Sequence, residues 1–143
     1  MIEDKTNKLK LIDFGFCCCS KEKLKVFCGT PSYMSPEIVS KREYYGNAAD
    51  IWACGVLLYV LLQGCFPFKS SFEKDLFRKI QRGQFGYSTP VSDDAIDLIK
   101  WILAVDPAKR PSASEILNHE WFAANGVGRS YHVDMSSSLG NSQ

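Results

Sequence analysis

An uninterrupted apolar run at residues 51–62 constrains the fold of this chain more than any other feature of its sequence. The run follows Asp50 and ends at Gln63-Gly64, and a glycine at that place is a common helix terminator. A helix of this composition has no polar face, so it is expected to be buried among other elements. The run is too short to span a bilayer, and no membrane association is predicted.

Composition limits the class of protein further. A chain of 143 residues is long enough for one compact domain. Lys plus Arg total 17 and Asp plus Glu total 16, and this net charge of +1 argues against nucleic acid as a partner. The 6 cysteines are too sparse for a disulfide scaffold, and three of them are consecutive, at residues 17–19. We therefore expect a reducing compartment, the cytoplasm or alternatively the nucleus.

The first thirty residues predict a β-hairpin followed by a loop. Residues 8–11 alternate polar and apolar side chains ahead of Ile12, which is the pattern of a half-buried strand. Met1 and Ile2 precede a polar turn at residues 3–7, and together these segments predict a short hairpin. No periodicity holds over residues 16–30, so this stretch is predicted to be a long functional loop.

Start and stop signals predict four more helices after the loop. Ser112 and Glu115 have the spacing of a capping box for the last of them, which is expected to reach Trp121 and Phe122. The other signals are the serines Ser35 and Ser92, as N-caps, and Gly83, as a helix end. Apolar faces are predicted at Phe72, Leu76, Phe77 and Ile80 in one helix and at Ile96, Ile99 and Leu103 in the next. The predicted class is mainly α.

Several short motifs occur in a fixed order along the chain. They are Asp-Phe-Gly at residues 13–15, Gly-Thr-Pro-Ser-Tyr-Met-Ser-Pro-Glu at 29–37, Asp-Ile-Trp-Ala-Cys-Gly at 50–55, and Arg110. This set resembles the second half of a eukaryotic protein kinase catalytic domain, in particular the serine/threonine group of calmodulin-dependent and AMP-activated kinases. The resemblance covers residues 1–122 and implies a C-lobe fragment with a short N-terminal hairpin and no N-lobe. Residues 123–143, rich in Gly, Ser and Asn, are predicted to be a flexible tail.

For the first two motifs the resemblance implies contacts with nucleotide and substrate. Asp13, with Phe14 and Gly15, matches the carboxylate that holds Mg²⁺ on the phosphates of ATP. Thr30 matches a hydroxyl in the loop that docks the protein substrate. That docking loop comprises Gly29, Thr30, Pro31, Ser32 and Tyr33.

For the later motifs the resemblance implies structural roles. Glu37 is expected to pair with Arg110, because a buried carboxylate needs a partner and a guanidinium fits it with two hydrogen bonds. Asp50 is expected to cap the central helix and to hold the family's catalytic loop from below. Trp52 and Gly55 belong to the same motif and are expected to be structural.

The chain also departs from the family pattern. Val26 stands where this group has its activating phosphothreonine, so ordering of the loop by a phosphate is not expected. Ser20 and Ser32 stay open as alternative phosphorylation sites, although the favoured interpretation is that both are ordinary solvated serines. Five further features of the family lie upstream of its Asp-Phe-Gly motif: the glycine-rich flap, the strand lysine, the helix glutamate, the catalytic aspartate and the metal-binding asparagine. The residues that precede Asp13 in this sequence contain no counterpart of these features. We expect this chain alone to bind neither Mg²⁺ nor ATP tightly.

Three functions stay open at this point. The favoured one is a fragment of a serine/threonine protein kinase, which acts on a protein substrate in the parent family but is inactive as this chain. The second is a pseudokinase-like module that binds a substrate or kinase-like partner through the docking loop and residues 83–91. The third is a truncated gene product in which Met1 is an internal methionine. Oligomeric state is not predicted, and the uncovered central helix is expected to make the chain marginally stable.

The cysteines predict neither a metal site nor a redox site. Three adjacent thiols at residues 17–19 cannot face one ion together, and the sequence has no Cys-x-x-Cys pair for zinc. Cys54 and Cys65 lie among apolar residues and are predicted to be small core side chains.

Overall fold

Helices form the regular structure of the part of the chain that the computed structural model describes, residues 9–15, 17, 18 and 20–124. In chain order they are α1 (Pro36–Val39), α2 (Gly46–Gln63), α3 (Glu73–Arg82), α4 (Asp93–Ile102), α5 (Ala113–Leu117) and α6 (Glu120–Ala124). Short 3₁₀ turns at Pro31–Tyr33 and Pro107–Lys109 precede α1 and α5. The prediction of a mainly α fold is confirmed.

The predicted N-terminal hairpin falls largely outside this part of the chain. Residues 1–8 are not described, and within residues 9–15 Leu9 makes an isolated bridge pairing but no continuous strand forms. The pairing between Leu24 and Tyr44, a single antiparallel bridge, joins the predicted loop to the segment after α1. Of the predicted tail, residues 125–143 are likewise not described, whereas Ala123 and Ala124 are the last residues of α6 rather than tail.

The central helix begins earlier than predicted. It begins at Gly46, with Tyr45 as its N-cap, and ends at Gly64, whose φ of +67° is the left-handed conformation that terminates helices. Asp50 is therefore inside the second turn and does not cap the helix, so that prediction is wrong. The sequence pattern misplaced the start because Gly46, Asn47 and the two alanines that follow are not part of the apolar run.

One face of α2 is exposed rather than buried. Trp52 and Val56 are fully buried, whereas Leu57 and Leu61 are 48% and 73% exposed. Cys54 is exposed on the same face, so its prediction as a core residue is wrong, while Cys65 is half-buried against the core. At 18 residues α2 is also long and apolar enough by composition to cross a bilayer, a criterion that core helices of soluble proteins meet as well.

Close packing of α2 on α4 depends on a glycine. A Cβ atom on Gly55 would lie 2.4 Å from Ile102 Cγ2 and 2.9 Å from Leu103 Cδ2. Two helices can approach this closely only where one of them has no side chain at the crossing point, since interiors are already packed to the density of crystals. Gly55 therefore lies at a crossing point that leaves no room for a side chain.

The later helices follow their predicted signals, with changes in which side chains are buried. Gly83 ends α3 at φ +62°, and Ser112 and Glu115 form both halves of the capping box. Phe72 is 71% exposed, so it is not part of the buried face of α3. The buried side chains of α4 are Ala95, Leu98, Ile99 and Ile102, and Ile96 is only half-buried. The last predicted helix is divided into α5 and α6 at Asn118 and His119.

Candidate functional site: a docking loop held by a buried ion pair

A buried ion pair joins α1 to the far end of the sequence. Arg110 donates from its two terminal nitrogens to the two carboxylate oxygens of Glu37, at 2.7 and 2.8 Å, across 73 residues of sequence. The side chains of Arg110 and Glu37 are only 1% and 7% exposed. This is the planar, two-bonded geometry in which guanidinium and carboxylate fit best. The structure thus brings these two predicted residues together.

The remaining donors of Arg110 are also satisfied. Its Nε donates to the carbonyl of Ala104 at 2.8 Å, and its terminal nitrogens donate to Ala48 at 2.9 Å and Val105 at 3.2 Å. The guanidinium carbon lies 5.0 Å from the centroid of the Trp52 ring, at a distance typical of a cation–π contact. One side chain therefore connects α1, the start of α2 and the segment after α4.

The protonation state of Glu37 is set by opposing effects. Burial by itself would raise the pKa of Glu37, but the hydrogen bonds and charge of Arg110 outweigh it, and the pKa is lowered from its ordinary value of 4.5. A carboxyl with a lowered folded-state pKa contributes stability that is present above its unfolded pKa and is lost as pH falls through its folded value.

We therefore expect the free energy of unfolding to fall as the pH drops below about 4.5. Urea denaturation at a series of pH values measures this dependence. The control is Glu37→Gln, which lacks the titrating group and should show a flatter curve in the same range. An equally steep acid dependence in this variant would assign the effect to other carboxyls.

The predicted docking loop lies directly ahead of α1. Gly29 has a φ of +115°, a conformation that favours glycine, and allows the chain to turn into the 3₁₀ turn Pro31–Tyr33. The Tyr33 amide donates to the Thr30 carbonyl at 2.9 Å, and the Tyr33 ring packs edge-on against Phe66 at 5.3 Å between centroids. The Thr30 residue is exposed. The loop therefore has a fixed backbone and presents Thr30 to solvent.

The segment before the docking loop is attached to the core by side chains. The Tyr44 hydroxyl donates to the Val26 carbonyl at 2.9 Å, and Lys25 pairs with Glu43 at 2.8 Å. The Phe27 ring lies edge-on to Phe77 of α3, 6.1 Å between centroids. The predicted long loop thus contains no helix or strand in its described residues, yet its second half is held in place.

Asp13 lines a cleft beside this segment. Its φ is +64°, and its carboxylate accepts from the Gly15 amide at 3.4 Å. The cleft has a volume of about 670 Å³, and its lining includes Asp13, Phe14, Asn47 and Asp50. Asp50 thus faces the same cleft.

The fit of this cleft to Mg²⁺ is incomplete. Within the described residues, no group of three or more His, Cys, Asp and Glu side chains has the arrangement of a metal site. Mg²⁺ requires near-octahedral oxygen coordination, and the Asp13 carboxylate would supply one of those ligands. These residues alone therefore do not fit a complete Mg²⁺ site.

Sequence reasoning missed a second buried polar contact, at Gln63. Its Oε1 accepts from the amides of Ser88 and Thr89, at 2.8 and 3.1 Å, and its Nε2 donates to the Thr89 carbonyl at 3.1 Å. The Tyr59 hydroxyl donates to the Gly86 carbonyl nearby. Together these bonds fix the segment between α3 and α4. The only sequence signal was a polar residue that ends an apolar run.

Comparison with known proteins identifies the family and the relatives to which this chain is similar. A protein kinase domain model matches residues 1–122. CBL-interacting protein kinase 10 of Oryza sativa subsp. japonica is 36% identical over 99% of this chain and 35% of its own length. Serine/threonine-protein kinase DCLK3 of Mus musculus is 45% identical over 87% of this chain and 16% of its own length. The chain thus spans well under half of these curated relatives.

Proposed function

Since the chain belongs to the protein kinase domain family, with serine/threonine kinases as its relatives, we propose that residues 9–124 are the substrate-docking part of such a kinase domain, its C-lobe. The observation that carries the proposal is the Glu37–Arg110 pair, which fixes α1 directly behind the docking loop. A protein substrate then meets a preformed loop, so less entropy is lost on binding. We place the chain in the calmodulin-dependent and AMP-activated group.

The exposed face of α2 supports a role within a larger kinase domain. Leu57 and Leu61 lie one helical turn apart and stay uncovered by the described residues. Apolar faces of this kind are typical of surfaces that another element covers. We propose that further parts of a kinase domain cover this face, and that the same parts supply the flap and catalytic groups for ATP.

Phosphoryl transfer is tested by grafting rather than by the chain alone. Residues 9–124 would replace the aligned stretch of the mouse relative, and transfer of labelled phosphate from Mg-ATP to a serine peptide would be measured. We expect the chimera to transfer phosphate and the isolated 143-residue chain not to. In the chimera, Asp13→Asn should lower kcat by about a hundredfold or more, because this carboxylate is the proposed metal ligand.

The matched control is Glu22→Gln, an exposed acid of the same segment, which should leave kcat within about twofold. An inactive chimera that is folded, or an Asp13→Asn chimera as active as its parent, would contradict the proposal. Phosphate transfer by the isolated chain would contradict the expected inactivity.

The second candidate is a pseudokinase-like module that binds a protein partner without catalysis. The observation that favours it is that, among the described residues, no group of three or more His, Cys, Asp and Glu side chains is arranged to hold a metal ion in the Asp13 cleft. In that case a partner raises the melting temperature of the chain, and the chimera, although folded, transfers no phosphate. The two candidates are therefore separated by turnover of the chimera.

A further inference from the structure

A small cationic pocket lies between residues 25–27 and the end of α1. In the sequence, the first of these segments precedes the docking loop and the second follows it. Its volume is about 210 Å³, and its cations are Lys25, Lys41 and Arg42. The rest of its lining is apolar or aromatic and includes Val26 and Phe27. A volume this small is below that of ordinary small-molecule sites and suits the head group of one side chain.

The charges of this cationic pocket do not cancel. Lys25 pairs with Glu43 at 2.8 Å, which leaves Lys41 and Arg42 uncompensated. Lys41 Nζ lies 5.8 Å from the centroid of Phe27, and the guanidinium of Arg42 makes no hydrogen bond or ion pair within the described part of the chain. Two positive charges match a phosphoryl group of about −1.5 to −2 better than a single carboxylate.

The backbone holds Lys41 in an unfavourable conformation. The Lys41 amide donates to the Ile38 carbonyl at 2.9 Å, and the Arg42 amide donates to the Glu37 carbonyl at 3.0 Å. This is the Schellman motif, whose left-handed position is usually glycine, yet Lys41 occupies it with a φ of +54°. Because a residue with a Cβ atom is strained in this backbone conformation, stability does not explain a lysine at this position. Strain of this kind is found at functional sites.

The phosphate for this pocket has to come from another molecule. Its lining contains neither serine nor threonine, and the one hydroxyl in it, of Tyr44, donates to the Val26 carbonyl. We propose that the cationic pocket binds a phosphorylated serine or threonine side chain of a partner or substrate protein. Lys41 and Arg42 donate charge-assisted hydrogen bonds to the phosphate oxygens, with Lys25 at the edge. The proposal requires no catalysis by this chain.

Fluorescence anisotropy with three labelled peptides tests the proposal on the full 143-residue chain. The peptides share one Ala/Gly sequence and differ only at a central phosphoserine, aspartate or serine. We expect the phosphoserine peptide to bind most tightly, the aspartate peptide more weakly and the serine peptide not detectably, with all binding weakened by salt. Lys41→Gly and Arg42→Gln should each weaken phosphopeptide binding about tenfold.

Two controls separate binding from folding. Lys100→Gln removes an exposed charge on α4 and should leave affinity within about twofold. Lys41→Gly should melt at the same temperature as the parent or higher, because glycine relieves the left-handed backbone. Equal binding of the serine and phosphoserine peptides would overturn the proposal. So would unchanged affinity in both pocket variants, or tighter binding to phosphatidylserine vesicles than to the phosphopeptide.

Discussion

Replacement of Arg110 with alanine is expected to lower the free energy of unfolding by about 3–5 kcal/mol, which is a large share of the stability of a domain this size. The variant leaves the Glu37 carboxylate buried without its partner and removes hydrogen bonds to the carbonyls of Ala104, Ala48 and Val105. A buried charge that loses its partner pays its full desolvation cost. Urea denaturation followed by far-ultraviolet circular dichroism measures the loss.

The matched control for this experiment is Arg78→Ala. Arg78 pairs with Asp75 at 3.1 Å on the surface of α3, where the two side chains are 58% and 46% exposed. An exposed pair of this kind contributes about 0–1 kcal/mol, because water and salt screen it. Equal losses in the two variants would show that the Glu37–Arg110 pair is not a special support of α1.

Replacement of Trp52 with alanine is expected to cost about 3–5 kcal/mol of unfolding free energy. Trp52 is fully buried, stacks on Phe68 with 5.7 Å between ring centroids, and lies beneath the Arg110 guanidinium. The truncation leaves a cavity between rigid helices and also removes the cation–π contact. Thermal and urea denaturation of the variant measure the effect.

Leu61→Ala is the control for Trp52→Ala, on the same helix but on its exposed face. Since Leu61 is 73% exposed, its truncation should cost less than about 1 kcal/mol. The double variant of Trp52 and Arg110 should lose less than the sum of the single losses, because the two side chains touch each other. An unfolding free energy that is unchanged in Trp52→Ala would contradict close packing of the core around this side chain.

Local signals in the sequence predicted the features that depend on neighbouring residues. The capping box of Ser112 and Glu115 and the glycine ends of α2 and α3 appear where their patterns indicate. Each of these features is decided within about four residues, so no knowledge of the remaining chain is needed. The motifs likewise carried the family resemblance, because they are short and their order is fixed.

The sequence by itself thus determined the helical class, several of the helix ends and, through the resemblance, the identity of Glu37 and Arg110 as partners. Only the tertiary structure decided which face of α2 is buried, since an apolar run without a polar face gives no sequence signal for the side that packs against the core. Only the tertiary structure likewise decided which carbonyls accept hydrogen bonds from Arg110, which amides donate to Gln63, and the left-handed backbone of Lys41. These features depend on atoms brought together from distant parts of the chain or on a backbone angle, and neither leaves a local pattern in the sequence.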